Sequence, residues 1–168
     1  MFELKRLHPD AIPAACEKAQ HYRLLNEPEQ AESICRDILE VDGDHQLAKT
    51  TMILALTDQI AVGQTALTEK ARELAIQLHG DYERHYFDGL ICERRAIAWL
   101  RSGEMGSGRA AYEWFRMAMA NFERAEPLRP QGTDDPMLRW NSCVRMIIAR
   151  PNVRPDLGDD SFAADLGE

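Results

Sequence analysis

The stretch MAMANFERAEPLRP, residues 117–130, places small residues at helical steps around one large residue. Ala118, Phe122 and Ala125 are separated by four and three positions, so their side chains share one face of a helix. Small side chains let a neighbouring helix approach closely, while the Phe122 ring fills the remaining space. Pro130 follows in the turn after this helix. The pattern predicts the second helix of a closely packed helical pair.

The composition favours an all-α fold in a single domain. The 168 residues are 45% hydrophobic and 29% charged, which is typical of a globular protein, and only 7% are aromatic. Helix-forming residues are abundant, whereas runs rich in Val, Thr and Tyr are nearly absent. Periodicity and caps predict seven helices at about 10–26, 28–42, 44–62, 67–79, 81–102, 108–125 and 135–149. Short connections predict antiparallel neighbours.

The opening arrangement occurs again, less strictly, near the N-terminus. Ala19 is followed three residues later by Tyr22, and Ala31 by Cys35 and Ile38 at steps of four and three. This spacing resembles the tetratricopeptide repeat family, whose pattern has a period of about 34 residues. The positions that carry the resemblance are Ala19, Tyr22, Ala31, Cys35, Ile38, Gly89, Ala118, Phe122, Ala125 and Pro130.

The resemblance implies an architecture of stacked helical hairpins. Three degenerate repeats and a C-terminal capping helix would form a short right-handed superhelix over residues 11–149. Residues 1–10 would be a lead-in. Residues 150–168 are acidic and rich in Pro and Gly, which predicts a disordered tail that could dock into a groove and block it.

The resemblance also implies a function, because repeats of this family hold a peptide or a partner protein in a concave groove. The protein would then be a non-catalytic scaffold or adaptor without cofactor or metal. Carried over onto the first helix of each hairpin, the groove candidates are Cys16, Gln20, Arg23, Lys49, Met52, Leu56, Gln59, Glu83, Tyr86, Leu90 and Glu93. Of these, Met52, Leu56 and Leu90 are the most suited to packing between hairpins.

Two other functions stay open at this point. Three repeats in a short acidic chain also resemble small secretion chaperones or regulators. A metal-dependent enzyme would rest on HGDYERHYFD, residues 79–88, where Gly80 interrupts the helix between the two histidines and no HExxH motif occurs.

Two further motifs have a simpler structural interpretation. GEMGSGRA, residues 103–110, departs from the phosphate-binding loop because Arg109 replaces the Lys and Ala110 the hydroxyl residue. CERRA, residues 92–96, is most simply a charged helix face with local pairing, the alternative being contact with an anion or carboxylate. The three tryptophans fall in apolar helical patterns, which favours core packing.

Charge and targeting signals limit the partners and the compartment. The formal net charge of −8 argues against nucleic acid as a partner. The first ten residues have no apolar region of a signal peptide, and no apolar run approaches the roughly 18 residues of a membrane span. Four scattered cysteines without a CxxC pair are typical of reduced core thiols. We therefore expect a cytoplasmic protein, and the excess of Arg over Lys favours a bacterial source.

Overall fold

The computed structural model describes residues 2–63 and 65–155, and this part of the chain contains seven α-helices and no strand. The helices are α1 (Ile12–Leu24), α2 (Pro28–Val41), α3 (Gln46–Asp58), α4 (Thr65–Ala75), α5 (Asp81–Ser102), α6 (Ser107–Ala125) and α7 (Asp135–Ile148). Single 3-10 turns at Pro9–Ala11 and Glu126–Leu128 precede α1 and follow α6. The predicted all-α class with seven helices is confirmed.

The end of α4 differs from the prediction. The sequence places Gly80 at the C-terminus of a helix that runs to about residue 79, but α4 ends at Ala75. A hydrogen-bonded turn follows, in which Leu78 N–H donates to the Ala75 carbonyl at 3.2 Å. Gly80 instead caps the start of α5 in an extended conformation, with φ −93° and ψ 148°. Its φ is negative, so this position does not use the left-handed conformation of a C-terminal glycine.

Each helix packs against its neighbour in the chain, as the short connections predict. In addition, α1 contacts α3 and α3 contacts α5. These three helices therefore form a row, which we call the odd-helix row. Helix α3 lies at the centre of the described fold because it contacts α1, α2, α4 and α5.

The closest helix contact described lies between α5 and α6. Gly89, Ala118 and Ala125 are buried at this contact, together with the ring of Phe122. A Cβ atom built on Gly89 would lie 2.5 Å from Cε1 of Phe122, which is closer than real Cβ atoms approach other atoms. The small residues of residues 117–130 thus face a neighbouring helix, as predicted from their spacing.

The first helical pair buries the corresponding small residues. Ala19 of α1 is fully buried, as are Ala31, Cys35 and Ile38 of α2. Tyr22 is half-buried at the end of α1. The shared steps of three and four therefore mark packed faces in both α2 and α6, the two helices in which the sequence pattern occurs.

The chain after α7 folds back onto α6. Val153 is buried in the cluster that contains Phe115 of α6 and Cys143 of α7. At the start of α6, a Cβ on Gly108 would lie 2.2 Å from the carbonyl oxygen of Asn152, so the absence of a side chain permits this approach. The described chain therefore remains packed beyond residue 149. The tail prediction for residues 156–168 lies outside the described residues.

Candidate partner-binding surface

A cavity opens between α3 and α5 in the odd-helix row. Its volume is about 500 Å³. The first turns of α3 and α5 and the connection before α5 form its walls. The lining residues are Gln46, Leu47, Thr50, Leu78, His79, Gly80 and Glu83. The cavity combines an exposed apolar side chain, Leu47, with polar groups, which suits a partner with both kinds of contact.

Charged side chains fix one end of this cavity. Asp44 lies just before α3, and its carboxylate accepts hydrogen bonds from Nζ of Lys49 at 2.8 Å and from Nε2 of His79 at 2.7 Å. The hydrogen bond from Lys49, followed by that from His79, lowers the pKa of Asp44 below its ordinary value. Gln46 accepts a hydrogen bond from the backbone N–H of His79 at 3.1 Å. These bonds connect α3 to the segment that leads into α5.

Aromatic side chains cover the other side of α5. Tyr82 stacks on Tyr86 with ring centroids 5.6 Å apart, and Tyr86 in turn packs against Phe122. Burial raises the pKa of Tyr82 to about 12, so both tyrosines are neutral hydroxyl groups at neutral pH. Tyr86 is half-buried, so part of its side chain reaches the surface.

A buried ion pair connects α5 to α7. Nη1 of Arg139 lies 3.5 Å from Oε2 of Glu93, whose side chain is 2% exposed. Burial raises the pKa of Glu93, and the positive charges of Arg139 and Arg94 oppose this rise without cancelling it. Glu93 therefore lies inside the contact between α5 and α7.

The structure divides the eleven groove candidates into two groups. Six are buried and pack between helices, as the sequence suggested for three of them: Cys16, Lys49, Met52, Leu56, Leu90 and Glu93. Five reach the surface at least in part: Gln20, Arg23, Gln59, Glu83 and Tyr86. The low exposure of the six places them mainly in packing between helices, and the groove role of all eleven stays a prediction.

Two of the surface candidates already have partners within the fold. Nε of Arg23 donates to Oδ2 of Asp58 at 2.8 Å, joining α1 to α3. Gln59 donates to Oε2 of Glu32 at 3.0 Å. Lys70 and Arg36 also contact this carboxylate. Although burial opposes ionisation of Glu32, the hydrogen bonds from Lys70, Gln59 and Arg36 together lower its pKa to about 2.

The CERRA segment is not the solvated charged face that the sequence favoured. Glu93 and Arg95 are 2% and 4% exposed, and only Arg94 between them is half-buried. Helix α5 contacts α3, α4 and α6, so it has few positions that face solvent. Nη1 of Arg95 donates to the backbone carbonyl of Ala61 at 2.9 Å rather than to a neighbouring carboxylate.

Within residues 2–63 and 65–155, no group of three or more His, Cys, Asp or Glu side chains is arranged to hold a metal ion. Trp99, Trp114 and Trp140 are half-buried and pack against the core of α5, α6 and α7. The indole N–H of Trp140 donates to Glu123 at 2.9 Å, which joins α7 to α6.

A larger cavity beside the N-terminal segment was not predicted from the sequence. This cavity of about 750 Å³ lies between residues 4–7 and helix α2, with Met52 and Leu74 from α3 and α4. Leu7 packs against the core, whereas Phe2 and Leu4 are fully exposed. In FELKRL, residues 2–7, the packed Leu7 does not share the alternation of the exposed Phe2 and Leu4, so the sequence carries no regular signal for this cavity.

Comparison with known proteins adds no assignment, because no family model, no curated protein and no solved structure matches this chain. Among the helices of the described residues, none is both long enough and apolar enough to cross a membrane.

Proposed function

We propose that this protein is a non-catalytic scaffold that binds a peptide or a partner protein on the odd-helix row. The observation that carries the proposal is the cavity of about 500 Å³ between α3 and α5, two helices of that row. The resemblance to tetratricopeptide repeats supports the same surface, because the first helices of such hairpins line the groove of that family. In this proposal the hairpins stack as a short right-handed superhelix with α7 as its cap.

The cavity also suggests the character of the partner. Leu47 is 46% exposed and offers an apolar contact, while Glu83 and Gln46 offer polar contacts on either side. A segment that inserts one apolar side chain and places polar groups at the rim matches this lining. Tyr86, one of the half-buried candidates on α5, would extend the contact along the helix.

Site-specific photo-crosslinking tests the proposal in the native host. A photo-reactive amino acid at Thr50 lies in the α3–α5 cavity, and one at Met117 lies on an exposed position of α6. We expect a discrete partner to be crosslinked from position 50 and not from position 117. Leu47→Lys should abolish that product, whereas Met117→Lys should leave it unchanged, since Met117 is 39% exposed and comparable to Leu47. Equal products from both positions would contradict the proposal.

A further inference from the structure

Arg95 is a buried cation with an incomplete set of partners. Its side chain extends from the second half of α5, and the residue is only 4% exposed. The described residues supply it with one hydrogen bond, from Nη1 to the carbonyl of Ala61, and with the ring of Trp99, whose centroid lies 5.7 Å from Cζ. No acidic side chain of the described residues forms an ion pair with it. Burying a positive charge without an anion is unfavourable.

Two hydrogen-bond donors of the described residues, one on α5 and one on α4, are unsatisfied. Within the described part of the chain, the buried indole N–H of Trp99 and the buried hydroxyl of Thr68 have no hydrogen-bond partner. Such groups are uncommon in folded proteins, and each calls for a physical explanation. Trp99 lies one helical turn after Arg95 in α5, and its ring is already in contact with the guanidinium group.

Thr68 lies on α4, which packs against α5. One turn after Thr68, Arg72 donates to Asp88 at 2.9 Å and to Sγ of Cys92 at 3.0 Å. Because α4 and α5 are joined by a short connection and pack as antiparallel neighbours, the turn of α4 that precedes Arg72 lies opposite the turn of α5 that follows Cys92. That turn of α5 contains Arg95.

We propose that this junction of α3, α4 and α5 binds a small oxyanion of the size of inorganic phosphate. The Arg95 guanidinium would supply the charge, and the indole N–H of Trp99 and the Thr68 hydroxyl would supply further donors. Because Arg95 is almost fully buried, a small free ion fits this junction better than a side chain of a macromolecule does. Ala61, whose carbonyl contacts Arg95, is itself exposed, so the guanidinium group lies directly beneath solvent-accessible backbone.

The test titrates the full chain with sodium phosphate against sodium chloride at constant ionic strength. The readout is the indole N–H resonance of Trp99, assigned through Trp99→Phe, together with the melting temperature. We expect a saturable shift of this resonance with a Kd of about 1 mM or tighter. Arg95→Gln should weaken the response about tenfold or more, while Arg101→Gln, an exposed position on the same helix, should leave it unchanged.

Each outcome decides the proposal. An unmoved Trp99 resonance in the wild-type protein overturns it, and this measurement does not depend on whether Arg95→Gln folds. An equal rise in melting temperature in both arginine variants would also overturn it, because it would reflect a general salt effect. Sulfate and acetate are titrated in two further experiments. A response to acetate alone would indicate a carboxylate ligand instead of a phosphate-sized ion and so contradict the proposal.

Discussion

Gly89 of α5 lies against the ring of Phe122 of α6, at a distance that leaves no room for a side chain on residue 89. A Cβ atom there would lie 2.5 Å from Cε1 and 2.7 Å from Cδ1 of the ring. Phe122 is itself 1% exposed and is held between Ala118 and Ala125 on its own helix face. The ring therefore has little freedom to move away, and residue 89 determines how closely α5 and α6 pack.

Gly89→Ala tests this relationship because two effects of opposite sign compete. Alanine is favoured over glycine inside a helix by about 1 kcal/mol, whereas overpacking a core costs about 1–3 kcal/mol. We expect the clash to outweigh the helix preference, so that the free energy of unfolding in urea decreases. Phe122→Leu in the Gly89→Ala background should recover part of the loss. A net stabilisation by Gly89→Ala would show that the ring can shift.

Glu32 should stabilise the fold in a pH-dependent manner. Its pKa is about 2 in the folded protein, below the ordinary value of 4.5 for a glutamate. A carboxyl with a lowered folded pKa contributes stability above its unfolded pKa and loses it as the pH falls toward its folded pKa. The advantage of wild type over Glu32→Gln should thus be greatest above about pH 4.5 and decline toward pH 2. Urea titrations across this range provide the measurement, with the exposed Glu29→Gln as control.

Glu93 should show the opposite dependence, since burial raises its pKa in the folded protein. A carboxyl with a raised folded pKa binds more protons in the folded state, so the protein loses stability as the pH rises above the ordinary glutamate value. The stability of wild type relative to Glu93→Gln should therefore decrease as the pH rises above the ordinary glutamate pKa, measured by the same urea titrations. A constant difference between the two proteins would mean that Arg139 fully compensates for the burial.

The four cysteines should be unreactive in the folded protein. Cys16, Cys35, Cys92 and Cys143 are all buried free thiols. Burial raises the pKa of Cys35 and Cys143 to about 12 and that of Cys92 to about 11, and raises that of Cys16 as well. Because the thiolate is the reactive form, we expect labelling by a thiol reagent at pH 8 to be at least about a hundredfold slower than in urea. One thiol that reacts rapidly under native conditions would contradict its burial.

The sequence predicts the helices of this fold well because their signals are local. Helix α5 begins and ends at the predicted residues, and the small residues of α2 and α6 are buried as their spacing indicates. The end of α4 is misjudged because Gly80 serves either as a C-terminal residue of one helix or as the cap of the next. In the folded chain Gly80 is extended, and its carbonyl accepts a hydrogen bond from the Arg84 N–H at 3.1 Å, so it serves as the cap of α5.

The candidate site is harder to predict because burial depends on how many neighbours a helix has. Helix α3 contacts four other helices, so Lys49, Met52 and Leu56 are buried on one face while Thr51 and Ala55 are buried on another. A helix that is buried on most sides shows no clear polar face in its sequence. The same difficulty applies to Glu93 and Arg95, whose charges predict a solvent face that α5 does not offer them.

The central position of α3 has a consequence for how the protein loses its structure. One hydrophobic cluster joins Ala19 of α1, Cys35 of α2, Ile53 of α3, Ala71 of α4 and Ile91 of α5. No hairpin among these five helices can detach without opening a core that the others share. Melting should accordingly be cooperative across the five helices, with no stable intermediate in which one end of the row is frayed.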